Sequence, residues 1–168
     1  MTGRGLGLVL AWSVATTAAA HADAPLPPPA TYEARSPNRR CVARADVVAG
    51  QVVVTPARGM PGATWTVAGW HRNIVVGNDC QVLGVGYAGG SLLDHDEREP
   101  QTPIMRFYRP GGPGNVVRLR VVRLGEVWPD LTQMPATVSH WQLYSTESWD
   151  GQRWTVVTAD RRTLSFAP

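Results

Sequence analysis

Apolar and polar residues alternate with a period of two along most of this chain from residue 36 onward, and turn-forming clusters break the alternation at short intervals. This is the pattern of half-buried β-strands, whose successive side chains face opposite sides of a sheet. It predicts about nine short strands. Residues 41–46 and 51–55 form one pair, and 74–76 and 81–85 flank Gly77-Asn78-Asp79-Cys80. Residues 104–108 and 116–122 flank a Pro- and Gly-rich turn. Residues 141–149 and 153–158 flank Asp150-Gly151, the clearest hairpin signal in the chain, and 162–166 closes the series. No window of about 11 residues sustains a 3.6-residue apolar period. The best helical candidates, 91–97 and 125–132, are short and end near proline. The expected class is all-β, with propeller-like hairpins arranged in an open sheet or a sandwich.

The ends of the chain change the picture. Residues 1–22 carry the three parts of a cleavable secretory signal: Arg4, an uncharged apolar stretch over 6–20, and Ala20-His21-Ala22 as an A-x-A site. The apolar stretch is shorter than the ~20 residues that cross a bilayer as a helix. Asp23 would become the new N-terminus, and no later segment predicts a membrane span. Residues 23–35 hold Pro25, Pro27, Pro28 and Pro29 and read as an extended, solvated lead, with a single folded domain over 36–168. Export places the chain in the periplasm or outside the cell. There, two cysteines, Cys41 and Cys80, read most simply as one disulfide.

Turn-like residues recur at Asn38, Asp79, Asn115 and Asp150, at intervals of roughly 35–40 residues, close to a propeller blade. Ser36-Pro-Asn38, the segments 107–111 and 116–119, Ser139-His-Trp141 and the stretch from Trp149 to Asp160 resemble an uncharacterised group of small secreted bacterial proteins built from propeller-like hairpins. The resemblance implies architecture and compartment, and it carries no catalytic residue. Cys41 and Cys80 each follow such a turn, so equivalent positions on adjacent units would bring them within disulfide reach.

Composition removes several chemistries. All sixteen basic residues are arginine. A chain without lysine has no P-loop and forms no Schiff base, which also excludes pyridoxal phosphate chemistry. Without Arg4, fifteen arginines face thirteen acids, too mild an excess to argue for nucleic acid. Gly84-x-Gly86-x-x-Gly89 matches a dinucleotide fingerprint, but Pro100 cuts short any following helix and the acidic partner is missing, so it reads as a glycine-rich strand exit. No cofactor is expected.

Candidate sites are diffuse. Asp94, Asp96 and Glu97 are weak Ca²⁺ candidates in a loop that otherwise reads as solvated. His71, His95 and His140 offer general bases, but neither G-x-S-x-G nor H-E-x-x-H is present. Six tryptophans lie beyond the leader; Trp154 reads as core, while Trp70 and Trp128, beside loop residues, are the candidates for an exposed aromatic site. Arg118 and Arg120, two apart, share a strand face that Arg106 joins across the hairpin, a surface suited to carboxylate or phosphate groups. The expectation is an exported, non-enzymatic β-domain that binds a protein or cell-envelope component. A small exported hydrolase using His95 or His140 with nearby carboxylates, and a structural part of an envelope assembly, are the alternatives.

Overall fold

The computed structural model describes residues 26–112 and 114–168, so the expected signal segment 1–22 and its expected cleavage site lie outside the described residues. The fold is all-β, with 13 short antiparallel strands in open sheets among the described residues. Among the described residues no helix is long and apolar enough to cross a membrane.

Three antiparallel meanders follow one another along the chain. The first contains β1 (Tyr32–Arg35), β2 (Cys41–Asp46), β3 (Gln51–Pro56) and β4 (Trp65–Ala68), in that order. The second contains β5 (Ile74–Val76), β6 (Leu83–Gly86), β8 (Pro103–Gly112) and β9 (Asn115–Arg123), with β9 at the edge. Between β6 and β8 the chain makes an excursion through β7 (Leu92–Asp94), which pairs with β10 (His140–Gln142). The third meander contains β11 (Thr146–Trp149), β12 (Trp154–Val157) and β13 (Thr163–Phe166). A single helical turn, α1 (Leu124–Val127), follows β9.

Most predicted strands are present, with four differences. Residues 32–35, read as part of the Pro-rich lead, form β1, because Tyr32 to Arg35 complete the ladder against β2. Residues 91–97 form β7 and a 3-10 turn rather than a helix. Residues 125–132 contribute only the end of α1 and the start of a second 3-10 turn. The expected strand 141–149 divides, with β10 on β7 and β11 in the third meander.

The second sheet is apolar on both faces. Leu83 and Val85 face a cluster that includes Cys41, Ala43, Ala45, Val52 and Val54, while Met105 and Phe107 face one that includes Trp128, Trp154 and Phe166. Two of the three glycines of the supposed dinucleotide fingerprint serve this packing. A Cβ on Gly84 would meet Val75 at 2.6 Å, and one on Gly86 would meet Asn73 at 2.6 Å. Only glycine lets β6 pass so close to its neighbours.

The Cys41–Cys80 disulfide is formed, with a Cα–Cα distance of 5.3 Å, and it ties the first meander to the second. The turns around it are also linked directly. Asn38 donates through its backbone N–H to Asn78 Oδ1 (3.1 Å) and through Nδ2 to the Asn78 carbonyl (3.0 Å). Asn78 donates in turn through Nδ2 to the Asp150 carbonyl (3.1 Å) and through its N–H to the Gly151 carbonyl (3.3 Å). Turns from all three meanders therefore converge at one end of the molecule. Asn115, predicted to be equivalent to them, instead closes the long β8–β9 ribbon.

Candidate functional site

A cleft of about 390 Å³ opens where the β4–β5 connection, the end of β6 and the β7–β10 pair meet. Each wall has a local cause. Gly69, with φ of +91°, turns the chain after β4, and Trp70 and Arg72 project from the connection that follows. Tyr87 leaves the end of β6, its N–H bonded to the Ile104 carbonyl at 2.9 Å. The turn at Gly89 and Gly90 reverses the chain into β7, which sets Leu92 and Asp94 on the facing wall. The 3-10 turn over His95–Glu97 then carries Glu97 back beneath Tyr87.

The tyrosine, histidine and acidic groups of this cleft are already paired. The Tyr87 hydroxyl donates to the Glu97 carboxylate. Burial, helped by that carboxylate, holds the Tyr87 phenol well above its ordinary pKa, so it stays a donor. His140 Nε2 lies 3.3 Å from Asp94 Oδ1, and the two residues are register partners on β10 and β7. On the opposite lip the Arg72 guanidinium sits 5.4 Å from the Trp70 ring centroid, and Tyr32 meets that ring edge-on at 6.4 Å. Burial pushes the Tyr32 phenol up to about 12, against the opposing charge of Arg72. Burial, aided by the charge of Arg106, lowers the pKa of His71, whose carbonyl accepts from the Tyr32 hydroxyl at 2.8 Å. The result is an aromatic floor between a cationic lip and an acidic one.

The predicted site residues scatter. Trp70 lines the cleft. Trp128 does not reach the surface: it is 1% exposed, its indole N–H donates to the Leu143 carbonyl at 2.8 Å, and Arg162 covers its ring. Proximity to loop residues misled here, because α1 folds its apolar side, Leu124 and Val127, into the same core. The three arginines also separate. A bulge between the Phe107 and Tyr108 positions places Arg120 opposite Phe107 and Arg118 opposite Tyr108, so Arg118 and Arg120 fall on opposite faces. Arg120 bonds Glu126 at 3.0 Å and the Ala167 carbonyl at 3.1 Å, while Arg118 lines a broad groove with Thr66, Ala68 and Tyr108. Arg106 shares the Arg118 face and projects toward His71.

His95 packs against Trp141 at 5.3 Å and does not line the cleft, whereas His140 does. Asp94 and Glu97 are each engaged by another side chain, Asp96 is exposed, and among the described residues no three His, Cys, Asp or Glu side chains gather as a metal-binding group. Sequence reasoning missed Tyr87, Arg72 and Leu92. Tyr87 stands inside the glycine-rich stretch that was set aside as a strand exit, and Arg72 lies two residues from Trp70.

A second depression of about 400 Å³ lies over the disulfide, lined by Asn38, Asn78, Gly151 and neighbouring turn residues. Its amides bond one another, as described above, and join the turns of the three meanders. Comparison with protein families, curated proteins and solved structures finds no match to this chain.

Proposed function

We propose that this chain is an exported, non-enzymatic β-domain of the periplasm or extracellular space, and that it binds an extended segment of a protein or envelope polymer in the Trp70 cleft. One observation carries the reading: Trp70, Arg72, Tyr87, Leu92, Asp94, Glu97 and His140, drawn from four separate segments, converge on one cleft with their polar atoms preoriented. Concave aromatic surfaces with a few fixed polar groups are the usual form of a ligand site. The disulfide fits an oxidising compartment. The hydrogen-bonded donors and acceptors of the cleft need little reordering on binding, which limits the entropic cost.

The test is a binding titration of the intact exported protein with peptidoglycan fragments and with extended peptides, followed by tryptophan fluorescence. Trp70→Ala is expected to weaken whatever binds by tenfold or more, as truncation of a central aromatic anchor does, while the protein stays folded by circular dichroism. Full-strength binding by Trp70→Ala overturns the site.

The His140–Asp94 pair favours a second reading, a hydrolase in which Asp94 orients His140 as a general base. The residues lining the cleft include no Ser, Thr or Cys to act as its nucleophile, so the base would have to activate water. Turnover of an ester, peptide or glycoside that disappears in His140→Ala, with binding retained, would establish this reading over the first.

A further inference from the structure

The chain's own lead forms part of the cleft's wall. The Trp70 indole N–H donates to the backbone carbonyl of Ala30 at 2.9 Å. Four residues earlier, Leu26 lines the cleft together with Tyr87, Leu92 and Trp70. Between these two anchors stand Pro27, Pro28 and Pro29, which are exposed and belong to no strand. Three consecutive prolines lack N–H groups and keep φ near −65°, so this piece of chain is extended before it docks and loses little entropy on doing so. Beyond Ala30 the chain is pinned: Thr31 Oγ1 accepts from the Val47 N–H at 3.2 Å, and Tyr32 enters β1 with its hydroxyl on the His71 carbonyl. An aromatic N–H on a carbonyl of an extended, proline-bearing segment, with an exposed apolar residue lining the adjacent hollow, is the arrangement by which aromatic grooves read polyproline-type peptides.

From this geometry we infer that the ligand class of the Trp70 cleft is an extended, proline-bearing polypeptide, and that the lead, residues 26–30, takes the Trp70 side of this site within the same chain. The inference rests on the Trp70 cleft as the binding site and narrows its ligand to polypeptide. It follows that the lead competes with any incoming partner. Tethering holds the lead at an effective concentration in the millimolar range, so a contact weak in isolation still keeps the Trp70 N–H engaged. A partner segment must outcompete it, and its apparent affinity falls by the fraction of molecules in which the cleft is open.

The test uses the full exported chain, its Leu26→Asp variant and a synthetic peptide with the sequence of residues 26–31. The readout is the Trp70 indole N–H resonance, assigned by its loss in Trp70→Phe. Leu26 is 51% exposed, so the aspartate is expected to leave the fold and its melting temperature intact. The expected result is that Leu26→Asp moves the Trp70 resonance, that added peptide restores it, and that the peptide's apparent Kd is at least tenfold lower for the variant than for the unmodified chain. An unmoved resonance in Leu26→Asp overturns occupancy by the lead. Peptidoglycan fragments shifting Trp70 where the peptide does not would keep the cleft as a site and overturn the polypeptide assignment. A resonance that neither probe shifts overturns both.

Discussion

Reduction of the Cys41–Cys80 bridge is the sharpest perturbation of this fold. The two cysteines are separated by 39 residues and are almost fully buried, and they join two meanders that are also linked at that end by hydrogen bonds such as Asn38 to Asn78. In the chain-entropy model, closing a loop of about 40 residues restricts the unfolded ensemble by roughly 13 cal/mol/K, or about 4 kcal/mol at 25 °C. Unfolding entropy near 2.1 cal/mol/K per residue, over roughly 140 ordered residues, gives about 0.3 kcal/mol/K. The melting temperature should therefore fall by about 13 °C on reduction. The assay is circular dichroism through a thermal ramp, with and without a phosphine reductant, alongside urea titrations of both forms. The urea m-value should rise in the reduced form, because its unfolded chain exposes more surface. A fall of less than about 4 °C, worth roughly 1 kcal/mol, refutes the entropic reasoning. Thiols that alkylate freely without reductant refute the bridge itself.

Gly151→Ala should destabilise by about 1–3 kcal/mol in urea titration, because its φ of +99° disfavours a side chain and its Cβ would fall 1.9 Å from Asn78 Nδ2, breaking the junction of the turns; a loss below about 0.5 kcal/mol contradicts that role. Trp154→Ala should cost about 3–5 kcal/mol, since the ring is buried between Tyr144 and Phe166 and its N–H donates to Glu147 at 2.8 Å, while the half-buried Trp70→Ala should cost far less; equal losses would remove the distinction between core and cleft. Burial and then the Arg106 charge hold the folded-state pKa of His71 below its ordinary 6.5, so the folded protein binds this proton less readily than the unfolded chain. Stability from His71 should be complete above about pH 6.5 and decline on acidification below it, and His71→Gln should flatten that part of a melting-temperature profile. Asp150, held low by the Arg153 and Gln152 N–H groups, contributes stability that is present above its ordinary pKa near 3.8 and is lost as pH falls through its lower folded value.

Much of the strand list was legible because burial on a sheet face leaves a period-two trace in the chain itself. Cys41, Ala43 and Ala45 alternate with Val42, Arg44 and Asp46, and the burial of β2 alternates with them. The Asp150-Gly151 hairpin was legible for a local reason, the positive φ that glycine supplies. β7 is only three residues long, and β1 follows a run of prolines, so neither repeats its pattern often enough to be read. The cleft was mostly hidden. Trp70 and His140 stood out by residue type, but nothing local marks Tyr87 as the partner of Glu97.

The sequence by itself determined the all-β class, the turns and the pairing of its only two cysteines, because each depends on a local propensity or on a count. Tertiary structure alone decided which tryptophan reaches the surface and which arginines share a face. Trp128 is buried by a helical turn that folds over it, and one bulged residue in β9 moves Arg120 to the opposite side of the sheet from Arg118. Register and close packing are relations between distant segments, and a pattern within one segment does not contain them.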